Sequence, residues 1–311
     1  MRMSTEIRFS FSSVTGQPLQ ARKWVPDGEI RGIVQIVHGM AEHIDRYDET
    51  ARTLTNAGFL VTGHNHLGHG EGTPLRGHFG DHEGWQALID DVHGLRTITE
   101  KEYPGVPYFL LGHSMGSFVV RCYLTEHAAG LSGAVLSGTG FYSPAVVKAG
   151  LALAGVLEAF GLTRKESPLI NRIAFSSSNK PFAPNRTPFD WLSRDEKEVD
   201  RYIEDPWCGF LFTTAGYREL FRGLKRLTQT EELKKIPARL PVLFISGSQD
   251  PVGSMGTGVR KVADDFIAAG IQDVSVHLYP DCRHELFKEL NRREVFEDLS
   301  SWLTAHCGGN D

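Results

Sequence analysis

The segment that most constrains this chain joins an apolar run, a glycine-flanked pentapeptide and a helical stretch. Residues 107–111 (PYFLL) have the length and character of a buried strand, and FVVRCYLTEHA after the pentapeptide is typical of a helix. The pentapeptide GHSMG between them contains Gly112, His113, Ser114 and Gly116. A turn this tight leaves no room for side chains two positions before and after its centre, so glycines are needed there.

The pattern predicts that Ser114 projects above the carboxyl edge of a sheet, at a helix N-terminus whose backbone amides favour negative charge. Gly112, His113 and Gly116 would form the turn around a nucleophilic serine. The alternative interpretation is a glycine-rich turn whose serine only caps the helix.

Short apolar runs alternate with helical segments in the first third of the chain and again near its end. GIVQIV (32–37), LPVLFIS (240–246) and VSVHLY (274–279) have the length of buried strands. Strands of this kind between helices indicate an α/β fold with a mostly parallel central sheet flanked by helices. Residues 7–13 and 19–25 are expected to form an antiparallel pair.

The strand signals disappear between residues 141 and 216. This stretch contains an apolar helical segment at 145–162, in which Lys148 and Glu158 are the only charges, and later the helical piece FDWLSRDEKEVDRYIED. We therefore predict one α/β core, formed by residues 1–140 and 217–311, with a helical cap (lid) inserted at 141–216. The apolar helix is expected either to pack on the core or to face an apolar ligand or a membrane surface.

A serine hydroxyl becomes a strong nucleophile only when a base accepts its proton. When the serine lies on a strand-to-helix turn, an acid and then a histidine follow it in the chain, each in a loop after a later strand. Asp250 follows LPVLFIS and His284 follows VSVHLY. The order predicts that His284 is the base and that Asp250 orients it.

Other acids and histidines near the end of the chain are weaker candidates. Asp281 is only three positions from His284, and Asp273 precedes its strand rather than following one. His277 falls inside a strand and His306 inside the last helix, so a packing or surface role is expected for both. A purely structural turn role for Asp250, before Pro251, is the remaining alternative.

Acyl transfer to a serine also requires two donors for the oxygen that becomes negative. The backbone N–H of the residue after the serine, Met115, is one expected donor. The N–H of Met40, in the loop after the strand that ends near His38-Gly39, is the other. His38 itself is expected to support that loop through hydrogen bonds.

Composition excludes several classes of protein. The chain has 311 residues with a formal net charge of -5, which argues against nucleic acid as a partner because phosphate binding needs a basic face. Its four cysteines form no C-x-x-C pair, which indicates free thiols in a reducing compartment. We find neither a signal peptide nor an apolar run of membrane-spanning length, and we therefore expect a cytoplasmic location.

Five sequence strings together resemble the monoacylglycerol lipase and lysophospholipase-like branch of the α/β-hydrolases, the group that also includes the S33 serine aminopeptidase type. The strings are HGMAEHIDRY (38–47), NHLGHGEG (65–72), LLGHSMGS (110–117), FISGSQDPV (244–252) and CRHELFKE (282–289), and WLSRDEKEV and YIEDPWCGF resemble the cap of that group. The chain departs from the usual Asp-x-Arg-Gly-x-Gly loop, because Asn65 and Leu67 replace the acid and the arginine.

The resemblance implies the α/β-hydrolase fold and a carboxylester substrate with a single fatty-acyl chain, cleaved through an acyl-enzyme without a cofactor. It leaves the head group, the chain length and the choice between monomer and homodimer open. The cap would determine chain-length preference, and it could contact a membrane or lipid surface transiently.

Two other enzyme classes provide alternatives. His64, His66 and His69 have the H-x-H-x-x-H spacing of a zinc site, to which His78 and His82 could add ligands, although the loop lacks the usual carboxylate. An aminopeptidase on the same fold would need a carboxylate in the cap to hold the ammonium group of the substrate; the candidates are Glu158, Glu166 and Asp190.

A non-catalytic binding protein is the third alternative. Such a protein is expected to have lost the serine, the acid or the histidine, whereas all three are present here.

Overall fold

A computed structural model describes residues 5–308, and within this part of the chain eight strands form a single sheet. The strands are β1 (Thr5–Ser12), β2 (Pro18–Val25), β3 (Gly32–Val37), β4 (Phe59–His64), β5 (Tyr108–His113), β6 (Gly133–Ser137), β7 (Val242–Gly247) and β8 (Val274–Tyr279). Their order across the sheet is β1-β2-β4-β3-β5-β6-β7-β8. Six adjacent strands, in the order β4-β3-β5-β6-β7-β8, run parallel, and β2 pairs antiparallel with both β1 and β4.

The helices follow the strands in the order that parallel crossovers require. They are α1 (Asp48–Asn56), α2 (Gly84–Glu102), α3 (Met115–His127), α4 (Pro144–Ala159), α5 (Pro168–Phe175), α6 (Glu196–Glu204), α7 (Thr214–Leu227), α8 (Thr257–Ala268) and α9 (Arg292–Ala305). Short 3-10 turns occupy Ile44–Tyr47, Lys180–Phe182, Asp190–Leu192, Thr230–Lys235 and Leu286–Lys288.

The central strands are buried on both faces because consecutive side chains enter two different cores. On β3, Ile33 joins the cluster that packs against α2, α3 and α8, whereas Val34 joins the cluster that packs against α1 and α9. The same alternation separates Leu110 from Phe109 on β5. This arrangement explains the continuous apolar runs and confirms the predicted parallel sheet with helices on both faces.

The sequence-based elements differ from the structure in several places. The strand β6 and the helices α5, α7 and α8 were not predicted. The amphipathic pattern of residues 46–57 predicts one helix, whereas the structure has a 3-10 turn, Ile44–Tyr47, followed by α1. The helical piece after residue 188 is another 3-10 turn, Asp190–Leu192, followed by α6.

The predicted cap lies in the long connection between β6 and β7. The side of α4 that carries Val147 and Ala154 is buried, and Gly150 lies so close to the ring of Phe221 on α7 that an added Cβ would come within 2.6 Å of it. The predicted cap boundary at 216/217 falls in the first turn of α7. Among the helices of residues 5–308, none combines the length and the apolar character needed to cross a membrane.

Candidate active site

Ser114 lies at the junction of β5 and α3 with φ 52° and ψ -120°, backbone angles that few residues other than glycine adopt. The glycines on either side make this turn possible. A Cβ at Gly116 would lie 1.9 Å from the carbonyl oxygen of Val37, and one at Gly112 would lie 2.6 Å from that of Gly116. The pentapeptide therefore forms the strained strand-to-helix turn that the sequence predicts.

His284 bridges the serine and the predicted acid. Its Nε2 atom lies 2.9 Å from the Oγ of Ser114, and its Nδ1 lies 3.0 Å from each carboxylate oxygen of Asp250. Both His284 and Asp250 are buried. The Asp250 carboxylate also accepts hydrogen bonds from the backbone N–H of Val252 (2.9 Å) and from the hydroxyl of Ser246 (3.2 Å), which fix its orientation.

The pKa values of the two histidines at this site, His284 and His113, are shifted in opposite directions. Burial opposes the charged form of His284, but the Asp250 carboxylate more than offsets it through charge and hydrogen bonding, so the pKa of His284 is raised. Burial, with a smaller repulsion from His284, lowers the pKa of His113 to about 4. His113 therefore stays neutral beside a ring that can take up a proton.

The backbone N–H groups of Met115 and Met40, which are the predicted oxyanion donors, lie in different surroundings. Met115 is the first residue of α3, so its N–H has no carbonyl one turn earlier to bond. On either side of Met40, the N–H of Gly39 donates to Glu42 and that of Ala41 donates to His69 Nε2, at 3.2 Å. Among residues 5–308, no acceptor is found for the N–H of Met40.

A buried ionic network supports the loop that carries Met40. Arg46 donates to Glu42 at 2.6 Å and, through two hydrogen bonds of 2.7 Å, to Glu285, the neighbour of His284. Glu42 in turn accepts from the N–H of Gly39 and from the hydroxyl of Tyr47. The guanidinium thus connects the loop after β3 with the loop after β8, which sequence reasoning missed.

The predicted cap contributes an aromatic ring to the site that sequence reasoning also missed. Trp191 lies with its ring centroid 5.0 Å from that of His284, and its carbonyl oxygen accepts from the backbone N–H of His284 at 3.4 Å. Phe175 packs in turn on Trp191, with centroids 6.1 Å apart. The only sequence signal was the WLSRDEKEV string.

The competing acids and histidines lie elsewhere. Asp281 is exposed and accepts from the side chain of Gln249. Asp273 pairs with His306 at 3.2 Å, and His277 pairs with Asp298 at 3.2 Å.

Two histidines of the alternative zinc site, His66 and His69, contact backbone groups, whereas neither ring nitrogen of His64 has a hydrogen-bond partner among the described residues. His69 donates from Nδ1 to the carbonyl of Leu67 and accepts at Nε2, and His66 lies 3.2 Å from the carbonyl of His38. Burial lowers the pKa of His64 to about 3 and that of His69 to about 4. Among the described residues, this loop does not bring three ligand atoms within 4.8 Å of one another. The rings therefore serve as packing and hydrogen-bonding groups beneath the loop.

Comparison with known families adds an independent observation. Residues 28–291 match the family model described as Serine aminopeptidase, S33. The chain belongs to this family. The match to S33 hydrolases includes the loop after β3, the Ser114 turn, the connection between β6 and β7, and the loops of Asp250 and His284, and it confirms the predicted resemblance.

Similar sequences include two proteins named as lipases. The chain is 30% identical to the Monoacylglycerol lipase of Mycolicibacterium smegmatis over 309 residues, covering 98% of this chain and 100% of that protein. It is 31% identical to the Monoglyceride lipase of Mus musculus, covering 93% of this chain and 88% of that protein.

Solved structures confirm the α/β-hydrolase fold. A thermostable carboxyl esterase from Bacillus coagulans, solved in complex with glycerol, superposes with a TM-score of 0.91 at 32% identity, covering 98% of this chain and 100% of that one. The Saccharomyces cerevisiae monoglyceride lipase, solved with a substrate analog, gives a TM-score of 0.77 at 20% identity, covering 98% and 96%.

Proposed function

We propose that this chain is a serine carboxylester hydrolase that cleaves esters of a single fatty-acyl chain, monoacylglycerols among them, with Ser114, His284 and Asp250 as its catalytic triad. The observation that carries the proposal is the continuous relay of 2.9 Å and 3.0 Å contacts from the serine hydroxyl through His284 to Asp250. The similarity to monoacylglycerol lipases over nearly the whole chain supports the substrate class.

The proposed reaction begins with attack of the Ser114 Oγ on the ester carbonyl while its proton moves to His284 Nε2. The carbonyl oxygen becomes negative and is stabilised by the N–H groups of Met40 and Met115. His284 then protonates the departing alcohol, which leaves an acyl-enzyme, and water activated by the same ring releases the fatty acid. Asp250 holds the Nδ1–H tautomer and stabilises the imidazolium in both halves.

We further propose that residues 141–216 form the cap and that residues 1–140 and 217–311 form the catalytic core. In support, α4 buries one side against α7 and leaves Val146, Val156 and Phe160 more than half exposed. An apolar surface of this kind suits transient contact with a lipid surface that delivers the substrate. We also propose that the cap sets the preference for acyl chain length.

An aminopeptidase activity has less support, although the family is described as Serine aminopeptidase, S33. Two of the three carboxylates predicted to bind a substrate ammonium are already engaged: Glu158 pairs with Arg218, and Asp190 accepts from the backbone N–H of Arg186 and from Thr187. Glu166 is exposed. We therefore place ester hydrolysis first.

A hydrolysis panel tests the substrate class. It compares monoacylglycerols, lysophospholipids, p-nitrophenyl esters of increasing chain length and aminoacyl amides, with Ser114→Ala as the control. We expect the highest kcat/KM on a single-chain glycerol ester and no release above background with the control. Faster cleavage of aminoacyl amides than of any ester would overturn the proposal.

A second experiment tests the lipid-surface contact. Phe160→Ser should lower hydrolysis of monoacylglycerol presented in phosphatidylcholine vesicles and leave hydrolysis of a short soluble ester unchanged. Equal effects on both substrates would contradict the role in surface contact. Sedimentation equilibrium of the same samples distinguishes a monomer from a homodimer.

A further inference from the structure

Outside the proposed triad, three side chains with metal-binding atoms converge at one point between the loop after β3 and the segment after α6. They are His43, Asp205 and Cys208, and their ligand atoms all lie within 4.8 Å of one another. The Nε2 of His43 is already 2.7 Å from the Oδ2 of Asp205. Nothing in the proposed reaction uses these groups.

The local backbone explains how Asp205 and Cys208 come together. The segment DPWC forms a turn in which the N–H of Cys208 donates to the carbonyl of Asp205 at 3.0 Å. The Oδ1 atom of Asp205 accepts a hydrogen bond from the N–H of Trp207 at 2.8 Å, and the Oδ2 atom faces His43. A turn that brings the side chains of residues i and i+3 together is the arrangement that C-x-x-C zinc sites use.

The Cys208 thiol differs from the other three in its surroundings. Cys122, Cys282 and Cys307 each make a hydrogen bond through sulfur, whereas no such partner is found for Cys208 among residues 5–308. Part of Cys208 is exposed to solvent, although its thiol lies in largely buried surroundings. The Asp205 carboxylate lies within 4.8 Å of the thiol and carries the charge that suits a bound cation.

We propose that His43, Asp205 and Cys208 form a zinc site that joins the cap segment to the loop carrying Met40. One imidazole, one carboxylate and one thiolate are the ligands that Zn²⁺ prefers, and water would complete a tetrahedron. A tetrahedral ion needs ligand atoms roughly 3.3–3.7 Å apart, so the His43–Asp205 pair opens slightly and the thiol moves inward. Binding exchanges the thiol proton for Zn²⁺ and releases that proton to water.

The bound ion would hold the two segments together and would take no part in catalysis. The same two segments already meet through the N–H of Gly209 and the hydroxyl of Tyr202, which both donate to the carbonyl of Ala41, at 3.0 and 3.1 Å. Because the ion would bind the folded arrangement and not the separated segments, it should raise the melting temperature.

Cobalt titration of the full chain tests the proposal, using Ser114→Ala protein so that the result is independent of hydrolysis. We expect one Co²⁺ per chain with a thiolate-to-cobalt charge-transfer band, displaced by Zn²⁺. The band should vanish in Cys208→Ser and persist in the matched control Cys307→Ser. The exposed group formed by Asp90, Glu126 and His127 has no sulfur and cannot produce this band.

Absence of the band in the parent protein, or its persistence in Cys208→Ser, would overturn the zinc site. If Cys208→Ser does not fold, alkylation of the parent protein answers the same question. Zn²⁺ should then protect Cys208 from iodoacetamide at least tenfold, and unchanged labelling would reject the proposal.

Discussion

The Nδ1 atom of His284 lies 3.0 Å from both carboxylate oxygens of Asp250, in a site from which water is nearly excluded. This pairing offsets the burial of the imidazole and raises the pKa of His284 above its ordinary value of about 6.5. Below that pKa the ring is protonated and cannot accept the proton of Ser114.

We therefore expect kcat/KM to fall as the pH drops through a midpoint above 6.5. In Asp250→Asn the largest influence that raises the pKa of His284 is lost while burial remains, so the acid limb should move to lower pH, and kcat should fall by about 10,000-fold. A pH–rate profile on a soluble ester measures both effects. An acid limb that stays in place in Asp250→Asn would argue against this pairing.

Ser114→Ala should abolish labelling by a fluorophosphonate probe and reduce kcat by about a millionfold, because the nucleophile itself is removed. Gel fluorescence and ester hydrolysis measure the two effects. Ser117→Ala, in the first turn of α3, is the control and should still label. Probe labelling of Ser114→Ala at the parent level would show that another residue is the nucleophile.

Gly116→Ala should disturb the turn around Ser114, because the new Cβ would lie 1.9 Å from the carbonyl of Val37. Displacement of the serine by about 1 Å is expected to cost about 100-fold in kcat/KM. Gly155→Ala is the matched control, since nothing lies within 4 Å of a Cβ there. It should retain activity and gain about 0.5–1 kcal/mol in the free energy of unfolding, because alanine favours a helix. Equal losses in both variants would contradict the steric argument.

Arg46→Met should destabilise the chain, because it leaves the buried carboxylates of Glu42 and Glu285 without their shared cation. The loss in free energy of unfolding is expected to be about 3 kcal/mol, measured by urea denaturation. Arg164→Met removes an exposed pair with Asp81 and should leave the free energy of unfolding almost unchanged. Similar losses in the two variants would rule out a special role for the buried network.

Met40→Ala should keep kcat on a short ester close to the parent value, since the proposed donor is the backbone N–H and not the side chain. Glu42→Gln should lower it, because the N–H of Gly39 loses the charged acceptor that fixes the loop. Loss of one oxyanion donor lowers the rate roughly 100- to 1,000-fold, and we expect the fall in kcat of Glu42→Gln to be no larger than this. A large loss in Met40→Ala would assign the role to its side chain.

The sequence was sufficient to predict the sheet and the order of the proposed triad, because strands buried on both faces leave continuous apolar runs and the candidate residues follow directly after them. It was not sufficient for β6, whose five residues, GAVLS, include only three strongly apolar side chains. A run this short resembles a loop unless the neighbouring strands are known.

Contacts between distant segments could not be predicted from the sequence either. Arg46 and Glu285 are 239 positions apart, and only the completed sheet brings their loops together. Trp191 reaches His284 through the fold of the predicted cap, where it packs on Phe175, and no local pattern indicates this contact. The convergence of His43 with the DPWC turn has the same origin.

The strand order has a practical consequence for engineering. The connection that contains the proposed cap leaves the sheet after β6 and returns at β7, and these two strands are hydrogen-bonded neighbours. The two ends of this connection are therefore held at a fixed spacing by the sheet. Foreign lids could be exchanged between these points as cassettes, and a library built in this way would diversify substrate choice while the reactive groups keep their places.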